Sequence, residues 1–408
     1  MKILHTADWH LGKRLESFSR LEEQREVLEE IAEVAKAEAV DVILIAGDLF
    51  DTYNPSTEAV ELFYKTLKKL SNNGRRAVVA IAGNHDSPDR IEAPDPLARE
   101  NGIIFSGYPS SQVTEFSLDS GLKAKHSEPG FLELEIPGSQ HPLRLLMTPY
   151  ANEFRLRHFL EKSDEEGELR ELLQERWQSQ ADSYCDDRGV NVLLSHLFMV
   201  RKGQELPEEP EDEKPILHVG GAQAIYSSNI PQQIQYTALG HLHRFQNVSG
   251  DDKNPVIYSG SPLSYSFSEA EQKKYVSVVE FEPGQAAQFK KVELKRGRKL
   301  VRKRFESTQE AVDWLAWNQD TLVEMTLVAD EYLTSADRKQ LYQAHDGIVT
   351  IIPEIRNKPQ AESKTRSINL QESMTELFRR YFAHQHRQEP NKEIMELFKE
   401  VQSEKPGE

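Results

Sequence analysis

Cysteine is nearly absent. Cys185 stands alone in 408 residues, which excludes an intrachain disulfide and a thiolate zinc cluster and points to a reducing cytosol. No stretch approaches the roughly eighteen apolar residues of a membrane helix. No apolar leader precedes the strand-like opening Ile3-Leu4-His5-Thr6-Ala7, so a cytoplasmic protein without a membrane partner is expected. No glycine loop closes on Gly-Lys-Ser or Gly-Lys-Thr, and any ATP dependence must therefore come from another protein. Internal repeats and low-complexity tracts are missing as well. Positive charge is in deficit: 50 Lys and Arg against 67 Asp and Glu give a formal net charge of −17. That balance argues against a surface that binds polyanions all over, yet leaves room for a basic strip or a phosphate-attracting metal site.

What is present is a series of short apolar runs, each ending in residues of metal-binding type. Val42-Ile43-Leu44-Ile45-Ala46 is β-branched, short and closed by Gly47, so it reads as a buried strand with Asp48 where the chain turns. A carboxylate at that place sits on the carboxyl edge of an α/β sheet, where ligands bind. The same arrangement recurs. The first run ends in Asp8-Trp9-His10, Ala77 to Ala82 in Gly83-Asn84-His85-Asp86, Val190 to Leu194 in Ser195-His196, and Gln235 to Leu239 in Gly240-His241-Leu242-His243. Helical apolar spacing over Leu21 to Ala39 and over Asn54 to Leu70 separates the first three runs, which implies parallel strands with right-handed crossovers.

Singly, each motif has a plainer reading. An Asp after a strand is commonly a cap or turn residue, and a lone His196 a satisfied core histidine. Five such clusters crowded together would be costly without a cation. An Asp-x-His pair in extended chain places both side chains on one face. Asp, His and Asn without thiolates suit Mn²⁺, Fe²⁺ or Zn²⁺. The donors are too many for one catalytic ion with an open position, and a carboxylate such as Asp48 can bridge two ions about 3.5–4 Å apart.

The rest of the chain is less specific. Residues 102–150 suit antiparallel strands with a loop around 119–130, residues 152–183 suit surface helices, and Glu205 to Lys214 a solvated acidic loop. Character shifts after Pro283. The expected domains are 1–283, a small α+β unit over 284–356, a polar linker over 357–366 and a helix-loop-helix over 367–404. Lys295 to Arg304 holds seven basic residues in ten: Lys295, Arg296, Arg298, Lys299, Arg302, Lys303 and Arg304. A solvated hairpin is the plain reading of that strip, and a sequence-independent, salt-sensitive contact to a phosphate backbone the functional one. The stripe Leu377, Phe378, Tyr381, Phe382 with Leu397 and Phe398 either folds back on the small unit or docks on a partner.

Asp8-x-His10, Gly47-Asp48-x-x-Asp51, Gly83-Asn84-His85-Asp86, His196 and Gly240-His241-x-His243 resemble, in order and spacing, the signature of calcineurin-like metallophosphoesterases. The opening Ile3 to Gly12, the turn Tyr258-Ser259-Gly260-Ser261-Pro262 and the domain order are similar, more narrowly, to SbcD-type nuclease subunits of bacterial SbcC–SbcD complexes. The resemblance implies an α/β metallophosphoesterase β-sandwich flanked by helices, with an α+β capping domain and a C-terminal helical hairpin. It also implies two divalent metal ions, with Mn²⁺ the expected choice. Asp8, His10 and His243 would bind one ion, Asn84, His196 and His241 the other, and Asp48 would bridge. His85 would meet the scissile phosphate, and Asp86 would orient His85. Relatives in archaea and eukaryotes commonly carry a DNA-positioning histidine at the place of Asp51, so that role is not carried over, and Asp51 is expected to orient a ligand histidine. The implied activity is exonuclease and endonuclease action on DNA in repair, recombination and replication. The implied partner is an SbcC-like ABC-type ATPase gripped by the C-terminal helices, in a heterotetramer containing a homodimer of this chain. A phosphoprotein or cyclic-nucleotide phosphoesterase would share the metal site without needing the added domain, strip and helices. A non-catalytic scaffold would be expected to have lost ligands.

Overall fold

The computed structural model of the chain describes residues 1–150, 168–203, 225–249, 253–330 and 333–356, with single positions of the terminal segment. Strands β1 (Lys2–Thr6), β2 (Val42–Ala46), β3 (Ala77–Ile81) and β4 (Ile103–Ser106) lie side by side and parallel. Their near-continuous apolar character reflects cover on both faces. On one face, helix α1 (Leu21–Ala37) contributes Val27, Leu28 and Ile31, and α2 (Thr57–Leu70) contributes Leu62, Phe63 and Leu67, against Leu4, Ile43, Ile45 and Val78. The second helix starts later than Asn54-Pro55 suggests, because the Ser56 hydroxyl caps it by accepting the Ala59 amide.

The second sheet holds β5 (Phe116–Ser117), β6 (Lys123–Glu128), β7 (Phe131–Glu135), β8 (Leu143–Thr148), β9 (Val190–His196), β10 (Tyr236–Gly240), β11 (Gln246–Asn247) and β12 (Val256–Tyr258). Their order is β11-β12-β10-β9-β8-β7-β6-β5. Strands β8, β9, β10 and β12 run parallel, and the outer ones are antiparallel to their neighbours. Val42, Leu44, Val79 and Ile81 of the first sheet meet Leu132, Leu145, Val192, Leu194 and Ala238 of the second, closing a β-sandwich. On its far face α3 (Glu168–Tyr184) buries Leu173, Trp177 and Ala181 against Leu146, Leu193 and Leu239.

Two expectations change. The run at Ile103 joins the first sheet in parallel instead of starting an antiparallel set. Residues 119–130 contain β6 where a loop was expected; only Ala124 and Ser127 of that strand are buried, so polar residues on its outer face hide the alternation. Helix α3 is a surface helix as expected, with Leu173, Trp177 and Ala181 buried along one face. The rest of the expected 152–183 helical region and the acidic loop Glu205 to Lys214 lie outside the described residues.

The chain then returns to the first sheet. β13 (Lys274–Glu280) pairs antiparallel with β1, and β14 (Gln288–Leu294) forms the sheet edge. The expected boundary at residue 283 thus falls inside a hairpin whose Val276, Val278 and Leu294 pack into the helix-covered core. After it come β15 (Lys299–Phe305), α4 (Thr308–Trp317), β16 (Thr321–Ala329), α5 (Ser335–Ala344) and β17 (Ile348–Ile355), an α+β unit with a three-stranded sheet. Phe305, Leu315, Val323, Met325, Leu327 and Leu341 form its core. Leu300 and Leu322 join Leu15 and Phe267 in a smaller cluster, and Met1–Glu354 form one compact unit.

Ile355–Glu408 form a second unit. Phe378, Tyr381, Phe382 and Phe398 are helical there, and the Phe378 ring stacks on Phe398 at 4.0 Å between centroids and 7° between planes. Leu377, Leu397 and the expected linker over 357–366 lie outside the described residues.

Candidate metal centre

The carboxyl ends of β1, β2 and β3 meet those of β9 and β10. Two hydrogen bonds tie the sheets together at this point: His196 Nδ1 donates to the Ala46 carbonyl at 2.8 Å, and the His241 amide donates to Asp8 Oδ1 at 2.8 Å. The loops after β1 and β2 run alongside each other, with Asp8 N bonded to Gly47 O at 3.0 Å and His10 N to Asp48 O at 2.9 Å. Asp8, His10, Asp48 and His241 have φ of 54°, 43°, 49° and 103°. Left-handed backbone at non-glycine residues is uncommon and carries strain, and here it falls on four of the seven expected ligands. Close approach also demands glycine: a Cβ on Gly83 would lie 2.1 Å from Asp48 Oδ1, and one on Gly240 would lie 1.8 Å from Ala46 O.

Two sets of donors result. His10 Nε2 stands 3.0 Å from His243 Nε2. His196 Nε2 stands 2.8 Å from Asn84 Oδ1, and ligand atoms of Asp48, His196 and His241 all lie within 4.8 Å of one another. Asp48 Oδ2 is 3.7 Å from His10 Nε2 and 3.3 Å from His196 Nε2, so one oxygen faces both sets. His10, Asp51 and His85 also offer ligand atoms within 4.8 Å of one another. Six of the seven expected ligands are buried, as is His85, and Asn84 is half-buried.

The surrounding contacts show what Asp86, His85 and Asp51 each touch. Asp86 accepts the amides of Leu49 and Phe50 at 3.0 Å each and of Gly83 at 2.8 Å. It fastens two loops together. The His85 ring is instead held by main chain: Nδ1 donates to the Asp51 carbonyl at 2.7 Å, while the His85 amide donates to Asp48 Oδ1 at 3.0 Å. The Asp51 carboxylate lies 3.1 Å from Lys13 Nζ and 3.9 Å from His10 Nδ1.

Other functional neighbours were not anticipated. Glu269 accepts from His243 Nδ1 at 3.1 Å and pairs with Lys274. Gln24 donates to the His10 carbonyl at 2.7 Å and to the Tyr265 hydroxyl at 3.2 Å. In sequence, Glu23-Gln24 and Glu269 sit in polar, charged stretches that read as solvated surface, and no local pattern marks them as buried.

Electrostatics express the crowding. Burial pushes Asp8 up to about 7 and Asp86 up to about 6. Burial, the largest influence, opposes a charged His196, but the Asp48 and Asp8 carboxylates and the Ala46 carbonyl together outweigh it and raise the ring to about 9. For Glu269 burial is overcome by Lys274 and His243, which hold it down at about 2.

The arginines of the basic strip are locally neutralised. Arg296 pairs with Glu33 at 2.6 Å, Arg298 with Glu23 at 3.4 Å, Arg302 with Glu324 at 2.6 Å and Arg304 with Glu354 at 2.9 Å. Lys299 is exposed, and Lys303 Nζ lies 5.3 Å from the Trp314 ring centroid. No helix among the described residues is long and apolar enough to cross a membrane.

These donors fit divalent cations. Asp8 Oδ2 is buried without a hydrogen-bond partner among the described residues, a costly state for a carboxylate oxygen unless a cation meets it. The nitrogen-to-nitrogen approach of His10 and His243 and the double-facing Asp48 make the same demand twice over.

The family model described as calcineurin-like phosphoesterase matches residues 1–245. The SbcD subunit of the nuclease SbcCD from Bacillus subtilis (strain 168) is 35% identical over 413 residues, covering 99% of this chain and 98% of that protein. The protein of the same name from Rhodobacter capsulatus is 32% identical over 289 residues, covering 70% of this chain and 68% of its own. A solved dimetal phosphatase from Danio rerio is similar at 12% identity with a TM-score of 0.39, over 73% of this chain and 99% of its own. By the extent of the family match and the full-length similarity to those nuclease subunits, the chain belongs to the calcineurin-like phosphoesterase family, in its SbcD branch.

Proposed function

We propose that this chain is a two-metal-dependent DNA nuclease, cleaving phosphodiesters at DNA ends or hairpins in repair and recombination, with Mn²⁺ as its ion and an SbcC-like ATPase as its partner. Asp8, His10 and His243 would hold one ion and Asn84, His196 and His241 the other, with Asp48 shared between the two sets. The observation that carries this reading is the single Asp48 oxygen facing both histidine sets, with His85 beside it. When bound, such a pair lowers the pKa of a water and offsets charge on the phosphoryl group.

The chain's own residues supply the rest. With its Nδ1 proton engaged by the Asp51 carbonyl, His85 exchanges protons through Nε2. As water adds to phosphorus and the P–O bond opens, His85 passes a proton to the departing oxygen. Asp86 keeps the Asp48 and His85 loops together while this happens.

Full-length similarity to a protein named for the SbcCD complex supports the partner. The stacked Phe378 and Phe398 support a helical hairpin, which would be the docking element. A lone, buried Cys185 agrees with a cytoplasmic setting.

The test is Mn²⁺-dependent digestion of linear double-stranded DNA by purified protein, alone and with the ATPase, beside His85→Ala and Asp48→Asn. Wild type should degrade DNA, His85→Ala should bind metal without cutting, and Asp48→Asn should lose paired metal binding. Bound metal with no DNA cleavage under either condition would turn the reading to a phosphatase.

A further inference from the structure

We propose that Glu269 and Lys274 are positioning residues for His243, an ion pair that fixes both the ring and the main chain of one metal ligand. The inference rests on the two-ion reading and deepens it.

The contacts close a loop around a single residue. Glu269 Oε1 accepts from His243 Nδ1 at 3.1 Å, and its other oxygen, Oε2, pairs with Lys274 Nζ. Lys274 Nζ in turn donates to the His243 carbonyl at 3.0 Å and to the Ser261 hydroxyl at 3.0 Å. The Ser261 amide reaches the same carbonyl at 3.2 Å, and the Tyr265 amide reaches Glu269 Oε1 at 3.3 Å. Glu269 is 3% exposed and Lys274 8%.

The chemistry follows from the tautomer. A histidine that donates Nδ1–H to a carboxylate presents a lone pair at Nε2, the form that binds a cation. His243 Nε2 is the atom that lies 3.0 Å from His10 Nε2. Two nitrogens so close repel one another unless a proton or a cation comes between them, and Glu269, by keeping the His243 proton on Nδ1, leaves the Nε2 lone pair turned toward that position. A buried ion pair is a poor way to add stability, because its desolvation offsets much of its attraction. Its placement around one ligand is what the site uses. Glu269 sits in the turn Phe267–Glu269 and Lys274 opens β13, so the antiparallel strand beside β1 is tied to a ligand on the loop after β10.

The experiment is Mn²⁺ titration of the full chain by calorimetry, with electron paramagnetic resonance to detect paired ions. Wild type should bind two ions. Glu269→Ala should weaken one of them by about 10–100-fold and leave the other unchanged. Glu269→Gln, which keeps an acceptor for Nδ1–H, should recover part of that loss. His243→Ala should lose the same ion, and adding Glu269→Ala to it should cost nothing more. Because Glu269→Ala leaves a buried ammonium unpaired, the neutral double variant Glu269→Gln/Lys274→Met serves as a second test, with folding checked by thermal melting; it should show the same selective weakening.

A folded Glu269→Ala or neutral double variant that binds both ions as wild type does would overturn the proposal, as would additive losses with His243→Ala. Wild type binding fewer than two ions would overturn the two-ion reading, and this inference with it.

Discussion

His85 donates its Nδ1 proton to the main-chain oxygen of Asp51, 2.7 Å away. A carbonyl survives any side-chain substitution, so the orientation of this ring is built into the turn after β2 and not into a carboxylate. Asp51→Asn should therefore keep His85 in place while removing the charge that faces Lys13 at 3.1 Å and His10 Nδ1 at 3.9 Å. Turnover of a small phosphodiester should fall less than about tenfold, whereas His85→Ala should cost about 10²–10⁴-fold. Equal losses in the two variants would assign the holding role to the side chain instead.

Gly83 admits no side chain. With its Cβ 2.1 Å from Asp48 Oδ1 and 2.2 Å from Asp48 N, Gly83→Ala must move either the loop or the carboxylate. Denaturant unfolding should show a loss of about 1–3 kcal/mol, typical of overpacking, together with weaker metal binding. An unchanged midpoint would mean that the loops yield at no cost.

The chelated protein should become less stable as pH rises. Asp8 is raised from 3.8 to about 7, Asp86 from 3.8 to about 6 and His196 from 6.5 to about 9. In each case the folded value lies above the unfolded one. The stability that each contributes is complete below the unfolded pKa and is lost as pH climbs through the folded pKa. Melting temperature in EDTA should thus decline between about pH 4 and pH 9. Cation binding requires deprotonated Asp8 and a neutral His196 ring, so the gap between Mn²⁺ and EDTA curves should widen over the same range. A flat or rising EDTA curve would contradict this.

The basic strip should act through its lysines. Arg298 and Arg302 already face Glu23 and Glu324, whereas Lys299 is exposed. Reversing Lys299 and Lys303 to Glu should flatten the salt dependence of DNA binding by roughly one unit of slope per lost phosphate contact. Reversing Arg298 and Arg302 should show up mainly as lost stability. If the arginine pair alone moves the slope, their glutamate partners release them on DNA binding.

Removing residues 367–408 should abolish co-purification with the ATPase while metal-dependent hydrolysis of a small phosphodiester persists. Within that segment, Phe378→Ala should weaken association as well, since it breaks the ring stack with Phe398 at 4.0 Å. Retained co-purification of the truncated chain would place the interface elsewhere.

Most of the centre can be read along the chain. Ligand chemistry is written in residue type, and a short β-branched run closed by glycine marks where a strand delivers Asp48, Asn84 or His241 to a sheet edge. Both are local properties, which is why all seven expected ligands and His85 converge. Other features depend on residues far apart in sequence. Whether β9 and β10 continue the first sheet or face it depends on packing between Leu44, Val79, Leu145 and Val192, and apolar runs of one kind serve either arrangement. Polar stretches hide Glu269, Gln24 and the β6 pairing, because a charged residue looks solvated until a partner from another element buries it. The contact of the His85 ring with the Asp51 carbonyl, and of Asp86 with three amides, turns on main-chain geometry, which no side-chain motif encodes. Residue type named the donors; long-range packing set which atoms face them.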